Sequence, residues 1–293
     1  MTDAWQQIFA VVAASVAERL ADAMETHGAL AVTLLDAADE PIYEPPLGTT
    51  PLWATTVVQG LYPNTVDFET LTGELSAELG LESSVWRVST IADQPWERVW
   101  MERFVPIAFG DRLWICPTHR DVPPEARVVV RLDPGLAFGT GTHPTTAMCL
   151  QVLDGTEVSG LDVIDYGCGS GILAIAAIKL GAHHVRAVDI DGQALAATHD
   201  NAVRNDVAAH IETSAPDALA DEPADMLLAN ILAGPLVQLA PTLAKLTKPG
   251  GLLVLSGVLA TQQQSVEAAY RGAFELAPVR NKEDWICITG RKR

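Results

Sequence analysis

The stretch Val163-Ile-Asp-Tyr-Gly-Cys-Gly-Ser-Gly171, followed by the apolar run Ile172 to Leu180, decides the fold. Val163 to Tyr166 has the character of a short buried strand, and the residues after Gly171 have that of a buried helix. Between them, Gly167, Gly169 and Gly171 let the backbone turn sharply and approach a ligand closely. Asp165, near the end of the strand, is placed to orient the loop or to meet a cationic ligand. Strand, glycine loop and helix occur together in many nucleotide folds, so the pattern alone selects no ligand.

Two details sharpen it. The dinucleotide pattern G-x-G-x-x-G needs its third small residue at position 172, which is Ile172. Here the third glycine comes one residue earlier, a spacing typical of S-adenosylmethionine loops. The next strand, Val185 to Asp189, ends in an acid that can accept both hydroxyls of a ribose. A solvated strand end is the plainer reading of Asp189, and the glycine loop argues against it.

Further along, Ala224 to Asn230 reads as a fourth strand, followed by Ile231-Leu-Ala-Gly-Pro235. An Asn at the carboxyl end of a buried strand stands where open α/β sheets bind ligands. Its side-chain carbonyl can accept a hydrogen bond from a target N–H and aim the nitrogen lone pair. The competing reading is an Asn that caps a turn before Gly234-Pro235. Upstream, the glycine-rich segment Asp133 to Thr146 reads equally as a lid or as an ordinary loop leading into a helix capped by Thr142 or His143, with Pro144 in its first turn.

Outward from these motifs, the chain divides into two domains and a connection. Residues 1–92 alternate as strand (Trp5 to Val12), helix (Ser15 to His27), strand (Ala31 to Leu35), strand (Thr55 to Leu61), helix (Phe68 to Leu79) and strand (Val85 to Ser89). That order fits a ferredoxin-like α+β sandwich. Val16, Leu20, Ala23 and Met24 are expected on the buried face of the first helix, and the proline-rich segment Glu40 to Pro51 as a loop. Residues 93–125 are expected to be a linker helix starting at Pro95 and a hairpin from Pro106 to Pro117 turning at Gly110-Asp111. Residues 126–293 alternate strands and helices, which predicts an α/β domain: a mostly parallel, Rossmann-like sheet with helices on both faces.

The 293 residues carry a formal net charge of −18. Residues 1–110 hold 16 Asp and Glu against four Arg and no Lys, a balance of −12, which leaves −6 for the remainder. Such a surface repels phosphate backbones and argues against nucleic acid. It attracts a basic partner, although acidity also serves plain solubility. No apolar run reaches the ~18 residues of a membrane span, and no leader pattern is seen. Four scattered cysteines without metal-ligand spacing suggest a reduced, cytoplasmic protein. No metal is expected, since Cys116 and His119 are too sparse for zinc. Cys168 has no base beside it and reads as a small residue in a tight turn.

Together these motifs resemble the bacterial ribosomal protein L-eleven methyltransferase family. The resemblance covers most of the chain from about Gln94 onward. It is most specific at Phe109-Gly-Asp-Arg-Leu-Trp-Ile-Cys-Pro117, Leu132 to Thr146, Val163 to Lys179 and Asn230 to Leu236. It implies a class I methyltransferase domain preceded by a small domain that grips the substrate, a basic large-subunit ribosomal protein. Methyl groups would go to that protein's N-terminal α-amine and lysine ε-amines. At matching positions, Thr145 would contact the cofactor from the lid, Gly167 would pack against its methionine part, Asp189 would hold the ribose and Asn230 would line the transfer site. No general base stands out, and His143 is a weak candidate. Nothing forces a stable oligomer, so a monomer is expected.

Three rival readings fit the residues less well. An enzyme acting on nucleic acid or a small molecule lacks support, because Asn230 is followed by Ile-Leu-Ala and not by an aromatic stacking platform. A nicotinamide-dependent oxidoreductase is disfavoured by Ile172. A silent adenosyl-binding module is disfavoured by the intact set of Asp189, Asn230 and the glycine loop.

Overall fold

The computed structural model describes residues 4–38, 40, 42, 50–92, 104–133 and 141–293. The expected linker helix from Pro95, most of the Glu40 to Pro51 loop and residues 134–140 of the lid segment lie outside the described residues. The chain divides into two compact units, Met1–Met101 and Glu102–Arg293.

In the smaller unit, strand β1 (Ala4–Ala13) is followed by helix α1 (Ala14–Thr26), β2 (Ala31–Asp36), β3 (Thr55–Pro63), α2 (Phe68–Leu79) and β4 (Trp86–Ala92). The sheet order is β2-β3-β1-β4 and every pairing is antiparallel. This is the expected ferredoxin-like arrangement. Alternation along the strands sends Ile8, Ala10 and Val12 of β1 and Val58 and Tyr62 of β3 to one face. There they meet Leu20 and Met24 of α1 and Leu71 and Leu75 of α2. The buried face of α1 includes Ala17, while Val16 lies at its margin. Helix α2 starts where the Asp67 carboxylate accepts the Thr70 N–H at 2.8 Å and stops at Gly80 in the left-handed region.

The larger unit begins with β5 (Ile107–Phe109), β6 (Leu113–Cys116) and β7 (Val128–Arg131). Strands β5 and β6 form the expected hairpin, and β7 adds to β6 in parallel. The hairpin therefore shares a sheet with β7 across the expected boundary at 125/126, because Phe109, Leu113 and Ile115 bury their side chains in the larger unit's core. Then come α3 (Pro144–Asp154), β8 (Asp162–Tyr166), α4 (Ile172–Lys179), β9 (His184–Val188), α5 (Gly192–Arg204), β10 (Ile211–Ser214), β11 (Ala224–Asn230), α6 (Ala233–Lys245), β12 (Thr247–Leu259), α7 (Gln263–Tyr270), β13 (Phe274–Leu276), β14 (Arg280–Lys282) and β15 (Trp285–Lys292).

The main sheet runs β10-β9-β8-β11-β12-β15-β13, with β14 against β15. Strands β8 to β12 are parallel to one another, and β15 is antiparallel to β12. Val163, Met226, Leu228 and Val254 face α3 and α4 on one side. Ile164, Leu227, Ala229, Leu253 and Leu255 face α6 and α7 on the other. Helices on both faces explain why these strands read as continuous apolar runs and not as alternating ones. Helix α3 is buried along all but one of its residues, Gln151, which matches a helix apolar on nearly every side.

One buried carboxylate ties the hairpin to that helix. Asp154, the last residue of α3, accepts the backbone N–H groups of Asp111 at 2.8 Å, Arg112 at 3.1 Å and Leu113 at 2.8 Å. Three donors at the hairpin turn are thus satisfied by a side chain that is 6% exposed. Asp154→Ala is expected to lower the stability of the larger unit by about 2 kcal/mol, since it orphans one buried and two partly buried N–H groups at once. Denaturant unfolding measures this, and an unchanged midpoint would rule out the anchoring role.

Candidate active site

Sheet order reverses between β8 and β11. From β8 the chain proceeds outward to β9 and β10, then returns to place β11 on the other side of β8. Loops leaving the two strands diverge there and open a crevice at their carboxyl ends. A cavity of about 520 Å³ occupies this place. Gly167, Cys168 and Gly169 after β8, Asp189 and Ile190 after β9, Asn230 to Leu232 after β11 and Thr146 of α3 are among its lining residues. Its volume lies within the usual range for a small-molecule site.

The loop after β8 is held from below and beside. The N–H groups of Gly167 and Cys168 both donate to the Val188 carbonyl, at 2.7 and 3.0 Å. Gly167 adopts φ +85°, and a Cβ there would stand 2.2 Å from Cγ2 of Ile231. Gly257 of β12, at φ +82°, approaches the same residue from the other side, where a Cβ would fall 2.3 Å from the Ile231 carbonyl oxygen. Two glycines with left-handed backbone thus seat Ile231, and with it the neighbouring Asn230. Gly171 caps α4, whose N-terminus is turned to the loop and suits a carboxylate.

Two carboxylates have different surroundings. Asp189 is half-buried, and its oxygens accept the N–H groups of Gly169 at 2.9 Å and Asp191 at 3.0 Å. Its remaining lone pairs are available to a pair of ribose hydroxyls. Ile190 beside it is 91% exposed and offers an apolar flank to a planar ring. Asp165 is fully buried beneath the loop. One of its oxygens accepts the Ala174 N–H at 3.1 Å, and the other meets no hydrogen-bond partner among the described residues. Burial raises its pKa to about 7, the Ala174 bond works against that rise, and the negative Asp189 adds to it.

Asn230 ends β11. Its amide nitrogen donates to Oγ1 of Thr146 at 3.2 Å, while its Oδ1 is buried with no partner among the described residues. Asn230 lines the cavity, and a buried acceptor without a partner is a group that a ligand's N–H can complete. The lining otherwise consists largely of apolar groups, including Ile172, Leu173, Leu232, Pro235 and Leu239. Among the lining residues only Asp189, Tyr166 and Cys168 are ionisable. Burial pushes the Cys168 thiol up to about 12, which leaves it a poor nucleophile.

Of the expected site residues, Gly167, Gly169, Asp189 and Asn230 therefore meet around one cavity. Asp165 and Gly171 support it without lining it. Thr145 is 1% exposed and does not line it; its hydroxyl bonds Nδ1 of His143 at 2.7 Å. His143 caps α3 and is also outside the lining, with its pKa lowered by burial. Thr146 and Gly257 were not singled out by sequence. Thr146 sits one residue from the expected Thr145 at the start of α3, and only the turn of that helix separates the two. Gly257 carried no local signal, because its role is to clear space for a residue of another loop.

The residues present fit S-adenosylmethionine: hydroxyl acceptors at Asp189, a helix N-terminus for a carboxylate, apolar walls, and in Asn230 a lining residue whose buried Oδ1 has no partner among the described residues. The raised pKa of Asp165 also has a consequence for stability. The unfolded carboxyl ionises near its ordinary value of 3.8, the folded one only near 7, so folding loses stability as pH rises through that window. Asp165→Asn removes the ionisation. In the free protein its melting temperature, relative to wild type, is expected to become several degrees more favourable between about pH 4 and about pH 8. A difference that stays constant with pH would exclude an ionising, buried Asp165.

Comparison with known proteins agrees with this geometry. The sequence profile of the family described as "Ribosomal protein L11 methyltransferase (PrmA)" matches residues 4–293. A protein of that name from Methylococcus capsulatus is 50% identical over 291 residues, covering 99% of each chain. Another from Azotobacter vinelandii is 51% identical over 290 residues, again covering 99% of each. The crystal structure of a ribosomal protein L11 methylase from Lactobacillus delbrueckii subsp. bulgaricus superposes with a TM-score of 0.59 at 35% identity, spanning 65% of this chain and all of that one. The chain belongs to the ribosomal protein L11 methyltransferase family.

Proposed function

We propose that this protein transfers methyl groups from S-adenosylmethionine to amino groups of ribosomal protein L11, at its N-terminal α-amine and at lysine ε-amines. The observation that carries the choice of an amine is Asn230 in the lining of the β8–β11 crevice, with a buried Oδ1 that has no partner among the described residues. Support for the ribosomal substrate comes from the family and from the −12 charge balance of residues 1–110, which favours encounter with a basic protein. The same charge disfavours direct nucleic-acid binding. Among the described residues no helix is long and apolar enough to cross a membrane. A cytoplasmic monomer is part of the proposal. Four free, buried cysteines are in keeping with a reducing compartment.

When bound, the cofactor supplies an electrophilic methyl carbon on a sulfonium. The protein's part is to position and to exclude water. In this reading Asp189 holds the ribose hydroxyls, the Gly167 to Gly169 backbone packs against the methionine part, and the N-terminus of α4 meets the carboxylate. Thr145, which does not line the cavity, supports the start of α3 through the bond of its hydroxyl to Nδ1 of His143. Asn230 Oδ1 accepts an N–H of the target amine, which turns the nitrogen lone pair toward the methyl group. As the new bond forms the nitrogen becomes positive, its N–H becomes a stronger donor, and the same oxygen stabilises it further. A lysine amine has an ordinary pKa near 10.4 and an α-amine near 7.7–8.0, so the amine must reach the site neutral. An apolar wall favours the neutral form. No lining residue is a suitable base, and water takes the proton.

Incubating the protein with S-adenosylmethionine and unmethylated L11, then reading intact masses, tests the proposal. Gains in steps of one methylene mass on L11 are expected; no gain despite demonstrated cofactor binding would overturn the substrate assignment. Asn230→Ala is expected to lower turnover about tenfold to a hundredfold, with a smaller change in cofactor affinity. Equal methylation rates in the two proteins would remove Asn230 from the mechanism.

A further inference from the structure

Helix α6 breaks a capping rule beside the site. Its N-cap is Leu232, with extended backbone at φ −61° and ψ 151°, and the side chain makes no capping hydrogen bond. A Ser, Thr, Asp or Asn there would accept an N–H of the first turn, and Leu is among the poorest choices. Burial does not explain it. Ile231, Ala233 and Leu236 pack into the core on the α6 side, whereas Leu232 belongs to neither core of the larger unit and is 48% exposed. It nevertheless lines the cavity, two residues after Asn230. A residue that breaks a local rule with no gain in packing marks a functional position.

Leu232 does not stand alone. Pro235 and Leu239, three and seven positions further on, share its side of the helix and line the same cavity. Leu232 and Pro235 are exposed and Leu239 is half-buried, so the end of this apolar strip nearest Asn230 is open to solvent. The two kinds of target amine would use such a strip differently. A lysine carries four methylenes beneath its nitrogen, and a stem of that kind lies along apolar surface. An N-terminal α-amine has no such stem. Lysine also holds its proton more tightly, near 10.4 against 7.7–8.0, and must be drawn further out of water to arrive neutral.

We infer that Leu232 is a specificity-determining residue whose side chain receives the methylene stem of a target lysine, and that it speeds transfer to lysine ε-amines but not to the α-amine. The inference rests on the amine chemistry proposed above. Packing of the stem on Leu232 holds the ε-nitrogen near Asn230 and strips water from it. In the transfer the nitrogen lone pair forms the new N–C bond, and the C–S bond breaks with its electron pair passing to sulfur, which is left as a neutral thioether. A nitrogen that still carries a proton then sheds it to water. Leu232 touches only carbons that do not react, so its effect is the same at each successive methylation of one lysine. A polar N-cap would hold the helix better and the stem worse, which accounts for a Leu in this place.

The test uses the full chain, S-adenosylmethionine and unmethylated ribosomal protein L11, with methylation at each amine followed by peptide mass mapping. Wild type is compared with Leu232→Ser and Leu232→Met. Leu232→Ser removes the apolar contact and supplies a hydroxyl that can accept the Gly234 N–H, so its melting temperature should be unchanged or higher. Its kcat/KM at lysines is expected to fall about tenfold, as befits the loss of one large apolar contact. Its rate at the α-amine and its dissociation constant for S-adenosylmethionine should each change less than about twofold. Leu232→Met, which keeps the apolar reach, should retain most of the lysine rate. The inference is overturned by equal slowing at both kinds of amine, by an unchanged lysine rate in Leu232→Ser, or by failure of Met to substitute. It is overturned equally by a lowered melting temperature, by cofactor affinity that falls along with activity, or by a wild type that methylates only one kind of amine. A wild type that binds the cofactor and methylates no amine at all would instead overturn the proposed function.

Discussion

The parallel pairing of β8 with β11 is the constraint on which the site depends. Val163 lies opposite Met226 and Asp165 opposite Leu228, so both strands end at the same level. That register brings a glycine loop and an asparagine, far apart in sequence, to opposite walls of one crevice. A shift of one residue would turn Asp165 and Asn230 to the other faces of the sheet. The register is held by apolar side chains on both faces, which is why the strands that build a polar site are themselves almost wholly apolar.

Close packing then converts register into geometry. Ile231 packs against Gly167 and Gly257, each with left-handed backbone and each at a place where a Cβ would overlap it. The loop after β8, the loop after β11 and the bend in β12 therefore fit together as one contact. Strand β12 breaks register against β15 between Leu255 and Val258, where Gly257 passes beneath Ile231. The irregularity in the sheet serves the site and not the sheet, as bulges beside active sites commonly do.

Polar groups follow a division of labour. Asp154 is spent on structure, with three hairpin N–H groups bound to it. Asp189 is shared between structure and ligand, since its backbone bonds fix its direction and leave lone pairs over. Asn230 Oδ1 is left open. Burying an open acceptor opposes folding, and such a group persists where a ligand completes it.

Much of this was legible in the sequence. The end of α2 was marked by Gly80, and the βαββαβ order followed from turn residues and periodicity, both of them local signals. The glycine loop, Asp189 and Asn230 stood out because strand ends in an alternating α/β chain are where ligands bind, whatever the remaining details. The hairpin's allegiance was not legible, because a short strand looks the same whether it belongs to a linker or to the core that covers it. Nor were Thr146, Gly257 and the anchoring role of Asp154. Each acts on a partner distant in the chain, and no local pattern records such a partner. The sequence by itself determined the elements, their order and the residue types at the strand ends, since these depend on backbone preference and spacing. Tertiary structure alone decided which of two adjacent threonines lines the cavity and which carboxylate is buried deeply enough for its pKa to rise, since these depend on packing between segments that meet only in the folded chain.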